Sequence, residues 1–87
     1  MATPIRVLIV EDRRPDAELM IAELRRAEFE PQWDLVETEA DFVANLSHAP
    51  EIVLADYSLP QWNGLAALQV LQQRELDIPL IIVTGSL

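Results

Sequence analysis

Short runs of consecutive apolar residues, rich in β-branched side chains, predict three buried strands. These runs are Ile5–Val10, interrupted only by Arg6, Ile52–Ala55 and Leu80–Val83. Strands that are apolar on both faces are typical of a parallel sheet covered on two sides. A fourth run, Trp33–Val36, has polar neighbours and predicts a weaker strand at the edge of the sheet.

Between the strands, apolar residues recur at the three- and four-residue spacing of amphipathic helices. The first expected helix runs from Pro15 to about Glu28, and Pro31 stops it. The second runs from the cap at Thr38 to about Leu46, and the third from Asn63 or Gly64 through Leu71. Pro15 suits a first helical turn, and Thr38 with Asp41 has the spacing of a capping box. The element order is therefore βαβαβαβ, which predicts a parallel sheet with right-handed crossovers.

The length of 87 residues allows one domain, residues 1–87, with no room for a second. Most α/β domains are somewhat larger, at roughly 100 to 150 residues. With 51% hydrophobic residues, so small a core is expected to leave apolar surface that seeks a partner.

The formal charge of −9 comes from 15 acidic residues against six basic ones, all arginine. Such a surface disfavours nucleic acid and anionic membranes, whose binding depends on basic groups, so the expected partner is a protein or a cation. Cysteine is absent, the N-terminus lacks the pattern of a signal peptide, and no apolar run approaches a membrane span. The expected location is the cytoplasm.

Side chains fit for phosphate or metal chemistry follow three of the predicted strands. Glu11 and Asp12 follow the first, Asp56 the third and Thr84 the fourth, and parallel strands bring such residues to one edge of the sheet. Clustered carboxylates repel each other unless a cation neutralises them, and oxygen ligands suit Mg²⁺. One carboxylate can then act as a nucleophile toward phosphorus, and Asp56 is the best placed. The plainer alternative is that each acid only caps a turn.

The chain resembles the receiver domain of two-component response regulators. The matching segments are Val7–Asp12, Val53–Pro60 with Gly64, and Ile81–Gly85. The resemblance implies a flavodoxin-like, doubly wound sheet in the order 2-1-3-4 and a role in a phosphorelay. It also implies a histidine kinase or phosphotransfer protein as the phosphodonor.

The resemblance further assigns roles to individual residues. Asp56 is the expected phosphoacceptor. It is also expected to hold Mg²⁺ together with Glu11, Asp12 and the main-chain carbonyl of Ser58. Thr84 is the expected switch hydroxyl. The expected chemistry is at most self-phosphorylation and autodephosphorylation. Receivers continue through a fourth helix, a fifth strand and a fifth helix, and they carry a lysine that contacts the phosphoryl group. The sequence is therefore expected to be a truncated receiver with impaired transfer, and the alternative is an interaction module that keeps the fold without switching.

Without a fifth strand, the fourth strand becomes an apolar edge. Residues Leu80, Ile81, Ile82 and Val83 would present unpaired backbone groups, which predicts a homodimer through this edge or through a swapped element. Among other candidates, Arg13 and Arg14 are expected to be a solvated helix start rather than a source of charge for the site. His48 is expected to have no metal or relay role.

Overall fold

The structure is a computed structural model that describes residues 2–57, 59 and 62–83. In chain order the elements are β1 Thr3–Val10, α1 Arg14–Arg26, β2 Phe29–Val36, α2 Glu39–Asn45 with a 3₁₀ turn Leu46–His48, β3 Ile52–Asp56, α3 Gly64–Gln73 and β4 Leu80–Val83. The predicted alternation of strands and helices is confirmed. No helix among the described residues is both long and apolar enough to cross a membrane.

The four strands form one parallel sheet in the order β2-β1-β3-β4, as predicted. The central strands β1 and β3 are in register with Val10 beside Ala55, so the residues that follow them end at the same edge of the sheet. Strand β4 then pairs with β3 and places Val83 beside Asp56. This topology brings the ends of three strands to one side of the molecule.

The helices cover the sheet from both faces, as in a doubly wound fold. On one face, α1 packs Ala17 and Ile21 against Val7 and Ile9 of β1. On the other face, Phe42 of α2 and the apolar residues of α3 pack against the opposite side of β1 and β3. Strand β1 is buried on both faces at its C-terminal half, which explains its unbroken apolar run.

The end of α1 and the start of β2 differ from the expectation. The helix ends at Arg26, and the chain reverses through Glu28, whose φ of 66° lies in the left-handed region. Pro31 therefore does not stop the helix; it lies inside β2, which begins at Phe29 rather than at Trp33. An edge strand tolerates proline because one side of its backbone needs no partner in the ladder.

The other two helices begin as their sequences predict. Thr38 Oγ1 accepts a hydrogen bond from the Asp41 amide at 3.2 Å, and Asn63 Oδ1 accepts one from Ala66 at the same distance. Both are N-cap bonds that satisfy an amide with no partner inside the helix. The cap at Asn63 fixes the start of α3 just beyond the end of β3, next to the candidate site.

Gly64 is required where α3 begins because this position lies directly against the sheet. A Cβ here would overlap Ile82 Cδ1 of β4 and lie 3.2 Å from the Cβ of Ala55 in β3. The absent side chain thus allows α3 to rest on two strands at once, next to the residue that precedes Asp56.

Candidate functional site

Glu11 lies just beyond the end of β1 and is held by backbone groups. Its amide donates to the Val36 carbonyl at 3.1 Å, which extends the pairing of β1 with β2 by one residue. Its Oε1 accepts hydrogen bonds from the amides of Asp12 at 2.9 Å and Arg13 at 3.1 Å. The side chain is only 1% exposed, so it is a fixed, buried acid rather than a solvated surface group.

Asp56 is the last residue of β3 and is also buried, with 7% exposed. Its carboxyl interacts with that of Glu11 through a side-chain hydrogen bond and through repulsion between their charges. The predicted convergence of these two acids, from neighbouring strands, is therefore observed. Their meeting follows from the parallel register of β1 and β3.

The environment of Glu11 favours its neutral form. Burial, followed by the side chains of Asp12 and Asp56, raises the pKa of Glu11 from 4.5 to about 8, and the Arg13 amide partly opposes this. The site is thus short of positive charge, and a hard divalent cation with oxygen ligands is the chemical group that would supply it.

Asp12 differs from Glu11 although the two are adjacent in sequence. Asp12 is exposed, and its side chain forms a hydrogen bond with the Glu11 carboxyl. No group of three or more His, Cys, Asp or Glu side chains in residues 2–57, 59 and 62–83 is arranged to hold a metal ion. The expected Ser58 ligand and the Thr84 hydroxyl lie outside the described residues.

The two arginines that follow Asp12 have partners of their own on α1. Arg13 lies 3.8 Å from the Asp16 carboxylate, and Arg14 lies 3.4 Å from that of Glu18. The Arg14 guanidinium also stands over the Trp33 ring, 5.3 Å from its centroid. This geometry agrees with the expectation that they are a solvated helix start, although the Arg13 amide contributes to the site in a way that the sequence pattern did not predict.

Trp62 and His48 make contacts that contribute to the fold. Trp62 packs on the core, with its ring centroid 5.0 Å from that of Phe42. His48 Nδ1 lies 3.0 Å from an Asp34 carboxylate oxygen in an exposed pair that joins the turn after α2 to β2.

Comparison with known proteins identifies the class to which this fold and site belong. The family profile described as the response regulator receiver domain matches residues 7–87, and the chain belongs to that family. It is 32% identical over 85 residues to the phosphate regulon transcriptional regulatory protein PhoB of Klebsiella pneumoniae, a match that covers 92% of this chain and 35% of that protein. A protein-glutamate methylesterase/protein-glutamine glutaminase of Nitrosospira multiformis is 30% identical over 94% of this chain and 23% of its own length.

A solved structure supports the same conclusion at the level of the fold. The MaeR response regulator bound to beryllium trifluoride superimposes with a TM-score of 0.78 at 26% identity, over 95% of this chain and 69% of that one. The receiver family and its flavodoxin-like fold, expected from the sequence, are thereby confirmed. The chain spans about a third or less of the length of the curated relatives named here.

Proposed function

We propose that this receiver accepts a phosphoryl group on Asp56. The observation that carries the proposal is the pair of buried carboxyls, Glu11 and Asp56, at the ends of the two central strands of a receiver fold. Burying two interacting acids costs stability, and such a cost is typical of sites retained for chemistry. A turn cap has no need of a second buried acid, so the capping alternative does not account for the pair.

Each acid has a distinct proposed role. Asp56 is the nucleophile and also a ligand of Mg²⁺, Glu11 and Asp12 are further ligands, and the Ser58 carbonyl and Thr84 hydroxyl complete the site. Bound Mg²⁺ would neutralise the carboxylates and the charge on the transferred group. The amides of Asp12 and Arg13 hold Glu11 in place, which keeps its second carboxylate oxygen available for other contacts.

The proposed reaction is transfer from a phosphohistidine of a histidine kinase or phosphotransfer protein. A carboxylate oxygen of Asp56 forms a bond to phosphorus while the bond from phosphorus to the donor's imidazole nitrogen breaks, and the imidazole keeps the electron pair. Water later hydrolyses the aspartyl phosphate. The MaeR response regulator, which has a similar fold, has been solved with beryllium trifluoride bound.

The rate of transfer is expected to be low in the 87-residue chain. The chain contains no lysine, and the nearby Arg13 and Arg14 are engaged with Asp16, Glu18 and Trp33. Removing a positioned charge from such a site costs roughly 3 to 4 kcal/mol of transition-state stabilisation. Phosphorylation should therefore be detectable but slow.

The test uses intact mass spectrometry after incubation with acetyl phosphate and Mg²⁺. We expect an adduct of one phosphoryl group that Asp56→Asn abolishes and that Asp77→Asn, which changes an exposed aspartate before β4, leaves unchanged. If the wild-type chain binds Mg²⁺ but forms no adduct, the proposal is wrong and the non-switching interaction module is favoured instead.

The remaining proposals concern partners and location. The phosphodonor is a histidine kinase or phosphotransfer protein, the compartment is the cytoplasm, and the 87-residue chain associates with a second copy through β4. The last of these is favoured by the exposure of Ile81 on that strand.

A further inference from the structure

Asn63 and Gly64 form an Asn-Gly pair at the start of α3, and both residues have structural roles. Asn63 Oδ1 accepts the N-cap hydrogen bond from the Ala66 amide at 3.2 Å. Position 64 leaves no room for a Cβ, which would overlap Ile82 Cδ1 and lie 3.2 Å from the Cβ of Ala55. The packing of α3 on the sheet therefore favours this pair for reasons unrelated to its chemistry.

An asparagine that precedes glycine is open to loss of its side-chain amide in water. The main-chain nitrogen of the following residue attacks Cγ of the asparagine, and a succinimide ring closes. Glycine hinders this attack least, because it has no Cβ beside the attacking nitrogen. The reaction needs no enzyme and no co-reactant other than water.

The backbone of the pair holds the attacking nitrogen close to the Asn63 side chain. The ψ of Asn63 is −178°, which turns the Gly64 nitrogen nearer to the Asn63 Cβ than the ψ of an α-helix or a strand does. The Gly64 amide is the first of α3, so it has no acceptor within the helix. It donates to no other group in the described part of the chain either, so this attack breaks no hydrogen bond there.

The cap hydrogen bond prepares the Asn63 side chain for this attack. The Ala66 amide withdraws electron density from the side-chain carbonyl through Oδ1, which makes Cγ more electrophilic. As the ring closes, Oδ1 gains negative charge, and a donor that is already in place stabilises this charge without reorganisation. The bond that begins the helix therefore also favours the reaction of the residue that caps it.

Asn45, the only other asparagine in the sequence, lacks these features. It precedes Leu46, whose side chain crowds the attacking nitrogen, and the Leu46 amide already donates to the carbonyls of Phe42 and Val43. The ψ of Asn45 is −10°, which turns that nitrogen away from the side chain. Its Nδ2 donates to the Asp41 carbonyl at 2.8 Å. Asn45 is thus an internal control for Asn63.

We propose that Asn63 is a site of spontaneous deamidation in the folded protein. The Gly64 nitrogen gives its proton to water and forms a bond to Cγ. The bond from Cγ to Nδ2 breaks, and ammonia leaves with the electron pair and a proton from water. A further water molecule then opens the succinimide at either carbonyl, and position 63 becomes aspartate or isoaspartate.

The two products affect the start of α3 differently. Aspartate keeps an oxygen that caps the Ala66 amide, and its negative charge is favourable at the start of a helix. Isoaspartate adds a methylene to the main chain, so Gly64 no longer rests on Ile82 and Ala55 while the cap is kept. Because Ala55 immediately precedes Asp56, this product alters the packing beside the candidate site.

The first experiment follows deamidation in the full chain, held at pH 8 for several days without denaturant. Cleavage after glutamate separates residues 40–51, which contain Asn45, from residues 52–75, which contain Asn63. Tandem mass spectrometry then locates the mass gain from amide to acid, which we expect at Asn63 at roughly ten times the rate at Asn45. Asn63→Ser keeps a capping oxygen and should abolish the gain at this position.

The second experiment decides whether the folded state reacts. Ile21→Val removes a buried methylene under α1, on the face of the sheet opposite α3. This change should raise the unfolded fraction roughly fivefold, which urea unfolding checks. The rate at Asn63 should stay the same if the folded chain reacts, and it should rise by the same factor if only the unfolded chain reacts.

The outcomes bear on the proposal in distinct ways. No mass gain at Asn63, or equal rates at Asn45 and Asn63, would overturn it outright. A rate that rises with the unfolded fraction in Ile21→Val would also overturn it, because the reaction would then belong to the Asn-Gly pair alone and not to the folded start of α3. A faster rate at Asn63 that Ile21→Val leaves unchanged supports it.

Discussion

Glu11 makes the stability of the fold depend on pH. Its pKa is raised from 4.5 to about 8 on folding, mainly by burial, so the folded state binds a proton more tightly than the unfolded state between these values. The stability that this group contributes is complete below pH 4.5 and is lost as the pH rises toward 8. At alkaline pH the fold holds a buried charge that is repelled by Asp56 and has no proton to donate to Asp12 or Asp56.

Glu11→Gln should therefore stabilise the protein at pH 8. Glutamine keeps an oxygen that accepts from the amides of Asp12 and Arg13, but it carries no charge. One pKa unit corresponds to about 1.4 kcal/mol, so we expect a gain of about 1 kcal/mol or more at pH 8 and little gain at pH 4.5. Urea unfolding at both pH values and one protein concentration measures this.

The control for this prediction is Glu37→Gln, which replaces an exposed glutamate between β2 and α2. It should change the unfolding free energy equally at both pH values. If Glu11→Gln has the same dependence on pH as the wild type, the buried carboxyl is not the source of the effect.

The sequence predicts which acids meet at the edge of the sheet better than it predicts their individual environments. The meeting of Glu11 and Asp56 follows from two apolar strands that end in acids, because parallel neighbours share one edge. The difference between Glu11 and Asp12 depends on which way each side chain leaves the strand end, and a pattern of adjacent acids does not contain this. The Arg13 amide contact is likewise a property of the turn geometry rather than of the side chain.

At the scale of elements, the fit between α3 and β4 is set by Gly64. Gly64→Ala should destabilise the fold by about 1 kcal/mol, because its Cβ would overlap Ile82 Cδ1, so that the Ile82 side chain would have to turn away. Ile82→Val removes that atom, so the double variant should recover part of the loss. Urea unfolding of the two single variants and the double variant completes the cycle.

A second pair of variants controls for effects on helix propensity alone. Ala66→Gly and its combination with Ile82→Val should show additive free energies, because Ala66 does not belong to the buried cluster against which Ile82 packs. If the unfolding free energies of Gly64→Ala and Ile82→Val are also additive, the contact between position 64 and Ile82 does not affect stability.

The elements were predicted best where burial is strongest. The apolar runs of β1 and β3 and the caps at Thr38 and Asn63 each specify one structure, and their bounds agree to within a few residues. The start of β2 was mispredicted because Pro31 commonly ends a helix, whereas the chain had already turned at Glu28. An edge strand has few buried neighbours to mark it in the sequence, so its limits depend on pairing with β1.

At the scale of the whole molecule, we expect the charge of −9 and the buried acids to make folding sensitive to divalent cations. A ligand that binds only the folded state stabilises it by about 1.4 kcal/mol at ten times its Kd. Mg²⁺ should therefore raise the midpoint of thermal unfolding by several degrees, since about 1 kcal/mol shifts a domain of this size by roughly 4 to 8 °C. Circular dichroism at fixed protein concentration measures the shift.

The effect of Mg²⁺ should be larger at pH 8 than at pH 5, because a proton on Glu11 competes with the cation for the same carboxyl. General screening of an acidic surface gives a shift as well, so NaCl at matched ionic strength must be subtracted. After that subtraction, Asp56→Asn and Glu11→Gln should lose most of the shift, and Asp77→Asn should keep it. An equal response of Asp56→Asn and the wild-type chain would mean that Mg²⁺ acts on the surface charge and not at the ends of β1 and β3.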